Sequence, residues 1–213
     1  MHARSTLEEF LTALAEAAPE PAGGAAAALA GAASAALVGM VADLAAAREP
    51  GAPATEEMAR ARGRLDVIRG ELLALVDRDV EAVRGLHEAF RRARGPGEDE
   101  AAHRAARQEA IRHATQVPAE IARLCREVVA LSVIVAAADR GGTLADVGTG
   151  ALLAGAAAGG AALIVCTNSA AVADRAVADA LCAEMDALRV EAARLAARVA
   201  EQVRARLAAR PSS

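Results

Sequence analysis

The sequence contains neither tryptophan nor tyrosine, and it has two phenylalanines, Phe10 and Phe90. Proteins that bind single strands of nucleic acid stack bases on aromatic side chains and carry a basic surface. Here the formal net charge is −4. Lysine is also absent, so every basic residue other than histidine is an arginine. This bias identifies no partner. We therefore expect no nucleic-acid partner.

Cysteine is scarce as well. The three cysteines, Cys125, Cys166 and Cys182, are odd in number and lack metal-ligand spacing. Reduced structural thiols and no metal site are expected from this pattern. Sequence patterns for Ser-His-Asp or Cys-His catalysis, phosphate-binding loops, dinucleotide sites and zinc sites are also missing. The residues alone leave both an enzyme and a helical interaction module open.

The sequence has no densely apolar segment of the composition typical of transmembrane helices. The Ala-rich runs contain no stretch of 20 residues dominated by leucine, isoleucine and phenylalanine, and Asp43 lies inside the first run. Glu8 and Glu9 stand where a secretory signal would be basic. We expect a cytoplasmic protein with no membrane partner.

Alanine, leucine and valine have to build the core, because 54% of the 213 residues are apolar and almost none of them are aromatic. Alanine favours helices and disfavours strands, and no segment alternates as a strand would. No linker is long enough to divide the chain. The expected fold is all-α: a single domain over residues 1–213, forming an orthogonal or up-down bundle of about six or seven helices.

A turn with two prolines and two glycines, residues 19–25, precedes the longest apolar run, residues 26–47. The run lacks proline and is apolar nearly all round, which predicts a buried central helix. The free N–H groups at the start of such a helix could hold an anion. A tight turn alone also explains Gly23 and Gly24, and geometry by itself favours that simpler interpretation.

Capping residues and prolines delimit the remaining helices. Ser5 and Thr6, with Glu8 and Glu9 three residues later, form overlapping capping-box patterns before the first helix. This helix should bury one face, which consists of Leu7, Phe10, Leu11 and Leu14. The predicted segments are a short helix after Thr6, a third helix from Thr55, a polar helix over residues 99–116, a fifth helix from Pro118, a sixth over residues 144–168 and a last over residues 174–209.

The third helix carries a stripe spaced by three or four residues from Leu65 to Phe90, and Asp79 is the one member of that stripe that is not apolar. A charged, unpaired carboxylate on a core face costs several kcal/mol. Asp79 should therefore have an arginine or a hydrogen-bond donor nearby, have a raised pKa, or line a wet pocket. An internal salt bridge is the structural interpretation, and an acid–base group is the functional one.

Three later features carry interpretable patterns. Thr143 and Asp146 fit an N-cap and an acidic third residue of the sixth helix. Asn168, near the end of that helix, fits a C-cap. A near-heptad seam runs from Leu181 to Val203 in the last helix, and it could pack within the bundle or against a second subunit.

Several short motifs occur together in a characteristic order. They are Phe10-Leu11-x-x-Leu14-Ala15, Pro19-x-Pro21-x-Gly23-Gly24, Met40-Val41-Ala42-x-Leu44, Asp79-Val80-x-Ala82, Val117-Pro118, Asp146-Val147-Gly148 and Asn168. In order and spacing they resemble the cyclodeaminase/cyclohydrolase family over about residues 7–205. That family includes the C-terminal domain of formiminotransferase-cyclodeaminase and the stand-alone methenyltetrahydrofolate cyclohydrolases.

The resemblance implies an all-helical homodimer that acts on a tetrahydrofolate derivative as substrate and needs no separate cofactor or metal. The reaction is either hydrolysis of 5,10-methenyltetrahydrofolate to the 10-formyl compound or loss of ammonia from 5-formiminotetrahydrofolate. Both pass through a tetrahedral carbon and need proton transfer. The resemblance implies catalytic roles for Asp79 and Asp146, and substrate contacts for Gly23, Gly24 and Asn168.

The sequence also departs from the family pattern near the expected pocket. Ala22 and Ala25 replace an outer glycine and a small hydroxyl residue, Asp43 and Ile164 stand where asparagine is common, and Val83 replaces an aromatic residue. Two alternatives therefore stay open. One is a related helical enzyme with a different small substrate. The other is a non-catalytic dimeric protein in which an arginine seals Asp79 and no cavity reaches the Gly23-Gly24 turn.

Overall fold

The computed structural model describes residues 2–48, 53–92, 99–139 and 142–209. This part of the chain contains six α-helices and no strand, which confirms the all-α prediction. The elements are a 3₁₀ turn at His2–Arg4, α1 (Leu7–Ala15), α2 (Gly23–Arg48), α3 (Pro53–Arg91), α4 (Glu100–Ala138), α5 (Leu144–Ser169) and α6 (Arg175–Ala208). The sequence predicts a linker over residues 48–53 and a break at Gly95-Pro96-Gly97. Residues 49–52 and the break lie outside the described residues, while Arg48 ends α2 and Pro53 begins α3.

Helix α1 begins with the predicted capping box. The Thr6 hydroxyl accepts the Glu9 N–H, and the Glu9 carboxylate accepts the Thr6 N–H at 2.7 Å. The predicted buried face is only partly correct, because Phe10 is buried whereas Leu7 and Leu11 are exposed. Phe10 is the one buried residue of this nine-residue helix, and Leu14 packs against the core while partly buried.

Helix α4 is one continuous helix of 39 residues, with Asp99 as N-cap and Pro118 inside it. The prediction of two helices that meet at Pro118 is therefore wrong. Proline removes one backbone hydrogen bond from a helix, and α4 continues because another residue satisfies the carbonyl that loses its partner, as described below.

Helix α2 lies antiparallel to both α3 and α5. Its start, at Gly24, meets Asp79 of α3, whereas Gly39 meets Arg62, earlier in α3. Likewise Gly23 meets the side chain of Ile164. The bundle therefore has a Gly24 end, where α2 begins, and an Arg48 end, where α2 ends and α5 begins.

In the sequence of α5, Gly155, Gly159 and Gly160 predict close approach to another helix, and the structure confirms this for Gly155. A Cβ at Gly155 would lie 3.0 Å from the Cβ of Ala196 in α6, and one at Gly150 would lie 2.6 Å from a methyl group of Val38 in α2. The same prediction is wrong for Gly160, which is exposed and has open space beside it.

The heptad-like seam of α6 packs within the chain. Met185, Ala192, Val199 and Val203 are buried, and α6 is also linked to α4 by arginine–glutamate pairs such as Arg126–Glu191 at 2.7 Å. Of the two alternatives for this seam, the structure therefore supports packing inside the bundle.

The prediction of three reduced thiols is wrong for two of them. Cys166 of α5 and Cys182 of α6 form a disulfide, with their Cα atoms 5.0 Å apart. They flank the turn between two antiparallel helices, which brings residues 16 apart in sequence within bonding range. Cys125 is free and buried, and burial raises the pKa of its thiol to about 12, so this cysteine is the inert structural thiol that was expected.

Two helices, α2 and α5, are long and apolar enough to cross a membrane when judged by length and composition alone. In their most apolar windows 61% and 50% of the residues are buried inside the protein. A core helix passes the same test, because a helix surrounded by other helices needs no polar face.

Candidate active site

The carboxyl group of Asp79 lies against the first turn of α2. Asp79 is 3% exposed. A Cβ added at Gly24 would overlap the Asp79 carboxyl group, with Oδ2 at 2.7 Å. Glycine is therefore required at position 24 by close approach. The group that faces the first turn of α2 is the protein's own Asp79 carboxyl group.

Burial and backbone contacts act on Asp79 in opposite directions. Loss of solvent raises its pKa to about 6, although a hydrogen bond from the backbone N–H of Ala25 favours the charged form. The positive end of the α2 dipole also favours the charged form. The result is a carboxyl group that can hold or release a proton close to neutral pH, as a general acid–base catalyst requires.

One oxygen of Asp79 has no partner. Its Oδ2 is buried without a hydrogen bond, and among the described residues no arginine pairs with the carboxyl group. The second buried aspartate, Asp139, differs, because Arg48 contacts it at 2.5 Å and the Thr143 hydroxyl donates to it at 3.1 Å. Asp139 is thus compensated as a structural ion pair, whereas Asp79 retains an unused acceptor.

The proline-containing turn before α2 is tied to α3. Glu20 accepts a hydrogen bond from Arg84 at 2.8 Å, and the Glu20–Pro21 peptide bond is cis. Gly23 is exposed, and a Cβ there would contact Ile164 at 3.3 Å. The turn is therefore joined to α3 through Arg84, and Gly23 lies at the surface next to the glycine that meets Asp79.

Asn168 lies at the same end of the bundle, and its side chain bonds to α4. The amide group donates to the Ala114 carbonyl at 2.7 Å. Pro118 is four residues after Ala114 and has no N–H, so the helix itself cannot satisfy that carbonyl. The expected C-cap role is not observed, because Ala170 is the C-cap of α5. Asn168 instead supplies the hydrogen bond that the Ala114 carbonyl of α4 lacks.

Asp146 lies toward the opposite end. It is in the first turn of α5, as predicted. A negatively charged side chain there interacts favourably with the positive end of the helix dipole. Gly150 is four residues after Asp146, and its carbonyl accepts a hydrogen bond from the Ser34 hydroxyl at 2.6 Å. Ser34 is ten residues after Gly24 in α2. At a rise of 1.5 Å per residue, Asp146 is about 20 Å along the bundle from the level of Gly24. Within one chain it shares no site with Asp79.

Of the five residues predicted for the site, the structure places Asp79 against Gly24, next to Gly23. Asn168 lies at the same end of the bundle but bonds to α4, and Asp146 lies toward the opposite end. Sequence reasoning missed the Ala25 N–H that meets Asp79 and the Ala114 carbonyl that Asn168 satisfies. The second was detectable in principle, because a proline inside a helical pattern always leaves the carbonyl four residues earlier without its partner.

Comparisons with known proteins agree with this architecture. The model of the family described as formiminotransferase-cyclodeaminase matches residues 6–187. A methenyltetrahydrofolate cyclohydrolase from Methylorubrum extorquens is 35% identical over 207 residues, which are 97% of this chain and 100% of that protein.

The fold also matches a solved structure, formiminotetrahydrofolate cyclodeaminase from Thermotoga maritima. The TM-score is 0.84, and the match covers 96% of this chain and 98% of the other. Because the two sequences are 23% identical, this likeness concerns the arrangement of the helices.

Proposed function

The chain belongs to the formiminotransferase-cyclodeaminase family, and we propose that it is a folate one-carbon enzyme that hydrolyses 5,10-methenyltetrahydrofolate to 10-formyltetrahydrofolate. The identity of 35% over the full length of a cyclohydrolase supports hydrolysis. The observation in the structure that carries the proposal is the buried, unpaired carboxyl group of Asp79 at the start of α2.

The proposed reaction needs one proton acceptor that later becomes a donor. The methenyl carbon is held between N5 and N10 as a cation. Water attacks this carbon while the Asp79 carboxylate accepts a proton from the water, which leaves a neutral tetrahedral adduct. Asp79 then protonates N5 as the carbon–N5 bond breaks, and the adduct hydroxyl loses its proton to become the formyl carbonyl on N10. One proton is released overall.

The surroundings of Asp79 suit these steps. A pKa near 6 leaves the group mostly ionised at neutral pH, ready to accept the proton from water, yet basic enough to take it. A carboxylate also stabilises the cationic methenyl group in a site with little water. We propose that Gly23 and Gly24 allow the substrate to approach the backbone, and that Asn168 acts indirectly by fixing α4 beside the site.

Substrate access requires a local movement around Asp79, because its Oδ2 is buried. We propose that the turn before α2, residues 19–22, is the segment that moves away from α3. The ion pair between Glu20 and Arg84, whose side chains are 17% and 51% exposed, links this turn to α3 and would open during turnover.

The non-catalytic alternative predicted that an arginine would seal Asp79 and that no cavity would reach the Gly23-Gly24 turn. In the part of the chain that the structure describes, no arginine pairs with the Asp79 carboxyl group. The group is nevertheless buried, because Asp79 is 3% exposed. Among the family departures, Asp43 is used in an ion pair with Arg62 at 2.7 Å, away from the Gly24 end. The lack of a sealing arginine in the described residues is the observation that supports a retained active site.

The decay of methenyltetrahydrofolate absorbance tests the proposal. The wild-type protein should accelerate the decay over buffer, and kcat/KM should rise with pH up to about 6 and then level off, because the ionised form of Asp79 is required. Asp79→Asn should reduce kcat by about 100-fold or more, the usual contribution of a general acid–base group.

Asp77→Asn is the matched control, since Asp77 lies two residues before Asp79 on α3 and its carboxylate accepts the Ala3 N–H. It should leave turnover within about twofold of wild type. A folded Asp79→Asn protein that keeps full turnover would remove the acid–base role. Absence of acceleration by the wild-type protein would reject the hydrolysis itself.

Deamination is the second candidate, because the family model and the structural match both include cyclodeaminases. Water and ammonia exchange at the same carbon, so the same carboxyl group serves either reaction. Release of ammonia from 5-formiminotetrahydrofolate distinguishes this activity from hydrolysis.

We further propose a homodimer that forms through α2 and α5. These neighbouring helices each expose an apolar stripe, and its large members are Met40 and Leu44 in α2 and Leu152, Leu153 and Leu163 in α5. Exposed apolar patches of this kind mark interaction sites. A cytoplasmic location and the absence of membrane and nucleic-acid partners remain predictions from the sequence.

A further inference from the structure

A cavity of about 380 Å³ lies apart from Asp79, between α4, the start of α6 and the turn that joins α5 to α6. Thr115 and Ser169 are at its inner side, each one residue along from the Ala114–Asn168 hydrogen bond. The volume is within the range of pockets for small ligands. The proposed folate chemistry at Asp79 makes no use of this space.

The interior of the cavity is mostly apolar but contains one unused polar group. Val172, Val177 and Leu181 line it. Ser169 is 3% exposed, and its hydroxyl oxygen is buried without a hydrogen-bond partner. A buried hydroxyl without a partner costs free energy, and a ligand in the cavity could supply the missing hydrogen bond.

The outer part of the cavity carries a cation. Arg112 lines it, with its side chain 57% exposed and ion-paired to Glu109 on the same helix. Asp174 also lines the cavity, but its carboxylate accepts the N–H groups of Ala176 and Val177 as the N-cap of α6. The charged group best able to meet a ligand here is therefore the Arg112 guanidinium.

The wall of the cavity is held in place by covalent and polar links. The Gln108 side chain donates to the Ala171 carbonyl at 3.2 Å and accepts the Ala173 N–H at 2.8 Å. The Cys166–Cys182 disulfide closes the same turn at its base. The cavity is thus preformed, which lowers the entropy that ligand binding must overcome.

From these features we infer that the cavity binds an aromatic acid. The ring lies among Val172, Val177 and Leu181, a hydrogen-bonding substituent reaches the Ser169 hydroxyl, and the acid group pairs with Arg112. Two sources share this chemistry: the aminobenzoyl-glutamate portion of a folate, and a free aromatic acid that acts as an effector. Binding at this cavity is independent of the reaction proposed at Asp79.

Fluorescence titration with 8-anilinonaphthalene-1-sulfonate, an aromatic anion, tests the inference on the full chain. The protein lacks tryptophan and tyrosine, so it contributes little background. We expect one saturable site per chain. Val177→Phe fills the cavity from its exposed side and should weaken binding at least tenfold. Val190→Phe is the matched control, because Val190 is on the same helix and equally exposed at 58%.

Two further variants test the polar contacts. Ser169→Ala should weaken binding about threefold or more without loss of stability, since the hydroxyl has no partner to lose. Arg112→Gln should weaken binding and reduce its salt dependence. Its control is Arg204→Gln, because Arg204 also pairs with a glutamate three residues earlier and lies outside the cavity.

Competition identifies the source of the ligand. Displacement of the dye by 4-aminobenzoylglutamate points to a folate, and displacement by 4-hydroxybenzoate alone points to a free aromatic acid. Displacement by neither compound overturns the inference, as does equal binding by the Val177→Phe and Val190→Phe proteins. Because these experiments measure binding, an inactive Asp79→Asn protein should give the same result as wild type.

Discussion

At the scale of single residues, the surroundings of two buried aspartates set them apart. Asp139 forms an ion pair with Arg48 and accepts a hydrogen bond from the Thr143 hydroxyl. These contacts compensate for the burial of its carboxyl group. Asp79 has a backbone N–H on one side and a buried, unpaired Oδ2 on the other. An uncompensated buried carboxyl group lowers stability, and residues that do so are concentrated where function requires them.

This difference predicts how stability depends on pH. The pKa of Asp79 is raised from 3.8 in the unfolded chain to about 6 in the folded one. Between these values the folded state binds more protons, so the free energy of unfolding falls as pH rises through this window. The wild-type protein should lose about 2 kcal/mol relative to Asp79→Asn between pH 4 and pH 8.

Chemical denaturation of both proteins at pH 4, 6 and 8 measures this difference, at one protein concentration because of the proposed dimer. The Asp79→Asn protein should be the more stable one at pH 8, and the two should converge toward pH 4. A variant that is less stable than wild type at pH 8 would show that Asp79 is a stabilising ion-pair partner, against the role proposed for it.

At the scale of elements, Pro118 and Asn168 form a unit that crosses from α4 to α5. The proline leaves the Ala114 carbonyl without its helical partner, and the Asn168 amide takes its place at 2.7 Å. The long helix α4 therefore depends on a side chain from its neighbour. This dependence fixes the relative position of α4 and α5 at the Gly24 end.

A double-mutant cycle tests this unit. Asn168→Ala alone leaves the buried carbonyl unpaired and should cost about 1–3 kcal/mol of unfolding free energy. In a Pro118→Ala background the same change should cost at least about 1 kcal/mol less, because the restored N–H of residue 118 can satisfy Ala114. Equal costs of Asn168→Ala in both backgrounds would show that the amide has some other main role.

At the scale of the whole molecule, the outer sides of α2 and α5 remain without a covering element. Leu163 is 63% exposed and Leu152 is 51% exposed, although both belong to helices that otherwise form the core. The small residues between them allow another helix to approach closely. A second copy of the chain that covers this face would remove both stripes from water.

Light scattering after size-exclusion chromatography tests this arrangement. The wild-type protein should elute as a dimer, and Leu163→Arg should shift it to a monomer because the change places a charge within the apolar interface. Leu207→Arg is the control, at an exposed leucine near the end of α6. A monomeric wild-type protein at micromolar concentration would contradict the proposal.

The sequence by itself determined the properties that depend on neighbouring residues. Four features were predicted correctly: the capping box of Thr6 and Glu9, the lack of strands in the described part of the chain, the buried central helix and the carboxyl group of Asp79 on a core face. Each follows from local periodicity, helix propensity or capping chemistry, which act over a few residues. The family motifs added an expected chemistry and a set of candidate residues.

Only the tertiary structure decided which of those residues meet. It joined Asp79 to Gly24, directed Asn168 to the carbonyl freed by Pro118, paired Cys166 with Cys182, and separated Asp146 from Asp79. The physical reason is the direction in which each helix crosses the bundle. Local patterns define a helix and its buried face, but antiparallel packing over some 20 Å determines which end of each helix reaches the site.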